Sequence, residues 1–286
     1  MLKQRVMTAI VLLAVLLGAL LAPGPWPLVL LFTLVAACAL WEWLRLTWQE
    51  SGSPLPVVLA IVTAAGLLTL AHQWLAPEPA LWSLQVQSVL NRWLIPIVAV
   101  IWVVGGTAMV IRGQASEPTD SGRLSAFGVI AVIAVWAALV ELFLTYGPWF
   151  VVSLLALIWL ADIAAYFTGK ALGKHKLAPR VSPGKTWEGA IGGVVAAAVW
   201  VMATAYWPGS FGAVLSERWP WWVVLLLAIF LAALSIVGDL FESLLKRRAA
   251  VKDSSQLLPG HGGVYDRIDA LLPVAPIALL LTGVWL

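Results

Sequence analysis

Long apolar runs separated by short polar breaks fill this chain from end to end. The runs do not alternate with period two, so they read as helices and not as half-buried strands. Many reach about 18 residues or more, enough to cross a hydrocarbon core of about 30 Å. Nine spans are expected, at about 5–22, 26–44, 55–74, 93–111, 124–145, 148–168, 188–207, 221–245 and 270–286. With no water at the bilayer centre, backbone groups must be satisfied inside each helix. The expected fold class is all-α, a polytopic integral membrane protein. Lys3 and Arg5 before the first apolar core have the look of a signal peptide. A second apolar run follows directly after Pro23-Gly24-Pro25, so a retained first helix of a hairpin is the expectation.

The polar breaks orient the spans. Arg92 and Arg218 fall on one side, and the other 15 of the 17 Lys and Arg fall on the N-terminus and the alternate loops. Basic residues accumulate in the cytoplasm, which places the N-terminus inside and, after nine spans, the C-terminus outside. Tryptophans such as Trp41, Trp43, Trp48, Trp219, Trp221 and Trp222 gather near span ends, where interfacial anchors sit. Loop lengths divide the chain into a four-span region at 1–112, a polar cytoplasmic link at 113–123, and a five-span region at 124–286 with charged loops at 169–188 and 246–269.

Composition agrees: 62% of residues are hydrophobic, against roughly 45–50% in soluble domains. The single cysteine, Cys38, excludes an intramolecular disulfide framework. The net charge of +3 says little; the placement of the charges says more.

Only 11% of the chain is charged, yet charge crowds into the stretch from Ser235 to Asp269. Asp239, Glu242, Ser243 and Lys246 share i, i+3, i+4, i+7 spacing and so one helix face. Asp266 and Asp269 stand at the start of the ninth span, at a similar depth. Carboxylates kept inside a span are costly, by about 2.5–3.5 kcal/mol at the centre, and usually face a polar cavity. Oxygen ligands from two helices suit Mg²⁺, which keeps waters and shares substrate phosphates. Gly260, Gly262 and Gly263 around His261 allow close backbone approach to an anion. The plain structural alternative pairs Asp239 with Lys246 or Arg247 and makes Asp269 a helix cap.

The loop from Gly169 to Glu188 carries five Lys and Arg and no acid before Glu188. Ser182-Pro183 reads as a helix N-cap followed by proline, which puts Lys185 in the first turn, where an anion is favoured. Gly184-Lys185-Thr186 lacks the upstream glycine of a nucleotide-binding loop, since position 179 is Pro. Asp162, expected at the end of the sixth span, is a third acidic candidate for the same layer. The plain alternative for this loop is positive-inside charge.

Ser243-Leu244-Leu245-Lys246-Arg247, then Lys252-Asp253, then Pro259-Gly260-His261-Gly262-Gly263-Val264-Tyr265-Asp266-Arg267-Ile268-Asp269 resembles the signature of the phosphatidate cytidylyltransferases, without departure over 27 positions. Asp162, Ser182-Pro183, Lys185-Thr186 and Glu188-Gly189 resemble that family too, as do Lys3-Gln4-Arg5 and Glu42-Trp43 more weakly. The resemblance implies transfer of the cytidylyl group of CTP to phosphatidic acid, giving CDP-diacylglycerol and pyrophosphate. It implies Mg²⁺, a multi-pass protein of the bacterial inner membrane with its site facing the cytoplasm, no nucleic-acid partner, and a homodimer. The family's metal-binding aspartates match Asp239 and Asp266, with Asp269 and Glu242 as further candidates beside them. On this reading Lys246, Arg247, Lys252 and Arg267 neutralise phosphates, and His261 donates a hydrogen bond to one. Ser182, Lys185, Ser243, Gly262 and Gly263 contribute to substrate binding.

Two rivals differ in testable ways. A CTP-dependent kinase of a polyprenol or other lipid alcohol would release CDP instead of pyrophosphate. An anion or nucleotide transporter would carry charges at mid-membrane and broken helices in paired repeats, whereas here the charges collect in one layer, with Glu141 near the outer end of the fifth span as an exception.

Overall fold

The structure, a computed structural model, describes residues 2–48, 52–117 and 122–283, without the side chains of Leu2, Lys3 and Arg5. Expectations resting on Lys3, Arg5, part of the 113–123 link and the last three residues lie outside the described residues. Among the described residues, each expected apolar run is helical over most of its length. In chain order the elements are α1 (Leu2–Leu21), α2 (Trp26–Thr47), α3 (Leu55–Trp74), α4 (Leu81–Arg112), α5 (Gly122–Tyr146) and α6 (Pro148–Leu172). A hairpin of β1 (Lys176–Ala178) and β2 (Ser182–Thr186) follows, then α7 (Trp187–Thr204), α8 (Phe211–Arg218), α9 (Trp221–Arg248), α10 (Tyr265–Ile268) and α11 (Leu271–Thr282). Seven helices among the described residues, α2 to α7 and α9, are long and apolar enough to cross a membrane. In α1 the described apolar stretch is Val6–Leu21, and α11 has 12 residues.

Three local expectations need correction. The fourth helix begins at Leu81, not near 93, because it continues through π-helical stretches at Leu90–Leu94 and Ile101–Gly106. The first stretch lies just before Pro96, whose missing N–H and bulky ring disturb an ordinary α turn. The sixth helix runs on to Leu172, so Asp162 lies within it and not at its end. Small residues make that extension useful: a Cβ on Gly189 or Gly193 of α7 would touch the Ala165 or Ala161 carbonyl of α6 at 2.8 and 2.7 Å. The two helices can therefore lie almost backbone to backbone, as small residues permit in membranes.

The third correction concerns Ser182, which caps no helix. Residues 182–186 form β2, antiparallel to β1 with Lys176 opposite Thr186 and Ala178 opposite Ser182. Thr186 is the N-cap of α7 instead, its Oγ1 accepting from the Gly189 N–H at 3.2 Å. Glu188, in the first turn, accepts from the backbone N–H of Lys174 at 3.1 Å and contacts His175 Nδ1 at 2.7 Å. Those contacts tie the start of the hairpin to the helix it precedes, so Lys185 projects from a strand and not from a helical turn.

The core is centred on Trp43, which is fully buried near the end of α2. Its ring meets Trp102 of α4, Phe127 of α5, Phe241 of α9 and Tyr265 of α10, with centroids 6.2, 5.8, 5.5 and 5.2 Å away. Its Nε1 donates to the Leu124 carbonyl at 2.9 Å. Aromatic pairs in such tilted and edge-on arrangements contribute about 0.5–1.5 kcal/mol each beyond area burial. This cluster joins helices from both halves of the chain directly beside the charged layer.

Candidate active site

The face of α9 predicted from spacing carries its charges into two neighbouring groups. In the first, Asp239 is ion-paired to Lys185 of β2, and both side chains keep about 30% of their surface open (30% and 28%). The carboxylates of Asp269 and Asp162 share this neighbourhood. Burial, and then the Asp239 charge, push the Asp269 carboxyl well above the usual carboxylate range, with Asp162 adding to the rise and Lys185 opposing it. Asp269 reaches this position because α9 and the start of α11 cross at Gly238. A Cβ there would lie 2.5 Å from the Asp269 carbonyl and 2.9 Å from Ala270 Cα.

In the second group, Lys246 Nζ lies 2.7 Å from Glu242 Oε2 and 2.8 Å from Asp266 Oδ1. Asp266 also accepts from the backbone N–H of Ser254 at 3.2 Å and of Gly263 at 2.8 Å. Burial opposes its charge, but the Glu242 carboxyl, the Lys246 ammonium and the Gly263 N–H outweigh it and hold the Asp266 carboxyl well below the usual range. Glu242 Oε1 is buried and has no hydrogen-bond partner.

The remaining predicted residues surround these two groups. Arg247 Nε donates to the Val181 carbonyl at 3.3 Å, tying α9 to the hairpin. Arg267 donates to the His261 carbonyl. His261 Nδ1 is buried without a partner, while Lys252 is exposed. Ser243 is half-buried on α9 and Ser182 half-buried on β2. Gly262 adopts a φ of 84°, a left-handed conformation that side chains disfavour. Its carbonyl accepts from Leu258 N–H at 2.9 Å, closing the turn that carries His261. Asp239 and Asp266 fall in adjoining groups, and each already has its own ammonium partner.

Among the described residues no three His, Cys, Asp or Glu side chains converge as a metal cage. The donor set nevertheless fits Mg²⁺, which takes one or two carboxylates and completes its shell with water and phosphates. Asp239 offers a partly open carboxylate, and Glu242 Oε1 is an unsatisfied buried oxygen in the adjoining group.

Three residues that spacing arguments missed complete the site. Glu42 of α2, fully buried, accepts from Ser254 Oγ at 2.9 Å and from the N–H groups of Val264 and Tyr265 at 3.0 and 2.6 Å. Ser255 Oγ donates to Oε1, the oxygen that also receives the Val264 N–H, while Ser254 and Tyr265 share Oε2. A carboxylate near the end of an apolar helix was the available signal for Glu42, beyond the weak family likeness of Glu42-Trp43. Ser254 and Ser255 gave none, since serine is ordinary in a polar loop.

The sequence model of the cytidylyltransferase family matches residues 3–285. This chain belongs to that family. A phosphatidate cytidylyltransferase of Pseudomonas aeruginosa is 38% identical over 298 residues, covering 100% of this chain and 99% of the relative. One of Haemophilus influenzae is 38% identical with 96% of each covered, and one of Bacillus subtilis is 32% identical with 99% and 98% covered. Membership extends from α1 to α11, so the N-terminal helices that supply Glu42 and Trp43 belong to the family unit as much as the charged loops do.

Proposed function

We propose that this protein is a phosphatidate cytidylyltransferase: it transfers the cytidylyl group of CTP to phosphatidic acid and releases pyrophosphate. The observation that carries this reading is the layer of facing carboxylates and ammonium groups, Asp239 with Lys185 and Asp266 with Lys246, in a membrane-spanning member of the cytidylyltransferase family. An oxygen of the lipid phosphate attacks the α-phosphorus of CTP. The bond from that phosphorus to the β-phosphate bridging oxygen breaks, and pyrophosphate leaves with its electron pair. The attacking oxygen is already anionic, so no general base is required. Such transfers depend mainly on positioning and on stabilising charge.

The two anionic reactants repel each other until cations stand between them. Lys185, Lys246, Arg247, Lys252 and Arg267 supply the fixed positive charge, and His261 supplies a ring N–H for a phosphate oxygen. Ser182, Ser243 and the backbone at Gly262 and Gly263 line the approach. Asp239 and Asp266 would hold Mg²⁺, with Glu242 and Asp269 beside them. When bound, the ion would offset the triphosphate charge and stabilise the leaving group.

The lipid would arrive sideways. A groove of about 660 Å³ lies between α4, the hairpin, α7 and α9, lined by apolar side chains such as Val110, Ile191, Val194, Ile236 and Leu240. Arg112 and Arg180 also line it, and Leu240 adjoins Asp239 in sequence. Acyl chains can stay in apolar surroundings there while the headgroup meets the charged layer. The bias of Lys and Arg toward those loops supports a site on the cytoplasmic face of a bacterial inner membrane. The test is pyrophosphate release by purified protein in detergent, with phosphatidic acid supplied or withheld. Release that requires both the lipid and Mg²⁺ is expected; CDP without pyrophosphate would assign a lipid kinase instead.

A further inference from the structure

The mechanism leaves Glu42, a fully buried acid, unused. Glu42 lies on α2, 212 residues before Ser254 in the chain, yet among the described residues its carboxylate receives donors only from the signature loop. Two of those donors are backbone N–H groups, which cannot accept. No Lys or Arg ion pair to Glu42 is present among the described residues. A buried carboxylate without a cation is costly, and charge-assisted hydrogen bonds from well-placed donors offset that cost. The carboxylate therefore fixes the loop in one conformation.

The groups it fixes are those that hold Asp266. Ser254 donates its hydroxyl to Glu42 and its N–H to Asp266. Three consecutive N–H groups divide the same way: Gly263 points to Asp266, while Val264 and Tyr265 point to Glu42. Gly263 sits between the two carboxylates, where a Cβ would collide with Ser254 Oγ and with the Glu42 carboxylate. A second N-terminal tie comes from α1, where Thr8 Oγ1 donates to the Pro259 carbonyl at 2.8 Å.

Resting on the reading of the site given above, we infer that Glu42 is a positioning residue, through which the N-terminal helices hold the loop of Ser254 and Gly263 so that Asp266 and Lys246 face the phosphates. Glu42 touches neither substrate nor reacting atoms; it acts through Asp266.

The test compares the full-length wild-type protein with Glu42→Gln and with Ser254→Ala/Ser255→Ala in detergent. Hydrogen exchange of residues 252–266 is read beside turnover of CTP with phosphatidic acid. Gln turns one acceptor oxygen into an NH₂ that faces donors. Faster exchange confined to this loop and a fall in kcat on the order of 100-fold, as for an ångström-scale misplacement, are expected. The double serine variant keeps the carboxylate and its backbone donors, and an intermediate loss is expected. Wild-type exchange and wild-type kcat in Glu42→Gln would overturn the inference. If Glu42→Gln loses protection in every helix, the serine variant decides, and unchanged kcat there would overturn it as well. A wild-type protein without turnover would defeat the functional reading alone, since loop exchange still reports whether Glu42 holds the loop.

Discussion

Asp239 and Asp266 lie in adjoining groups but different surroundings, and their substitutions should differ accordingly. Asp239 and its partner Lys185 are both partly open to solvent. Asp239→Asn should leave a folded, inserted protein whose pyrophosphate release falls by on the order of 100-fold or more, the scale of losing a main electrostatic contact. Asp266 is only 8% exposed at its side chain and is held by Lys246 and two backbone donors. Asp266→Asn should abolish turnover and also lower the thermal midpoint, because breaking a buried pair costs about 3–5 kcal/mol. Equal thermal midpoints for the two variants would contradict this distinction. The aspartates themselves were legible in the sequence, since charge in an apolar chain stands out and helical spacing aligned Asp239 with Lys246. The partner of Asp239 was not. Lys185 is 54 residues away in sequence, and nothing local announces a contact made by a strand that folds back.

At the scale of elements, the long helices followed from unbroken apolar runs, because a bilayer leaves the backbone no other economical arrangement. The hairpin at 176–186 did not, since Ser182-Pro183 satisfies the local rule for a helix start while the Glu188 and Thr186 contacts that fix the true start are tertiary. The full length of α4 is not visible as one apolar run, because Gln85, Gln87, Asn91 and Arg92 interrupt it. Asn91 is in fact buried, donating from Nδ2 to both oxygens of Glu141 at 2.9 and 2.7 Å. The crossing at Gly238 is the element contact on which the site most depends. Gly238→Val would push α9 away from Asp269 and Ala270. Overpacking of this kind costs about 1–3 kcal/mol, and turnover should fall together with thermal stability. A variant with wild-type activity would mean that the approach of α9 to α11 does not set the carboxylate layer.

For the whole molecule, the two halves of the chain form one working unit. The Trp43 cluster and the Glu42 contacts bind α2 to α9, α10 and the signature loop. The proposed topology, with the basic loops in the cytoplasm, has a direct test. Lys252→Cys in a Cys38→Ser background should react with an impermeant maleimide in inside-out vesicles and not in intact spheroplasts; the reverse pattern would invert the topology. The central claim, cytidylyl transfer to a lipid phosphate, is tested most directly by tracing one atom. Purified protein is given phosphatidic acid, Mg²⁺ and CTP labelled at the α-phosphorus. The label should move into the organic phase as CDP-diacylglycerol, matched by unlabelled pyrophosphate. Label that stays in water as CDP, with a phosphorylated lipid formed, would contradict the account.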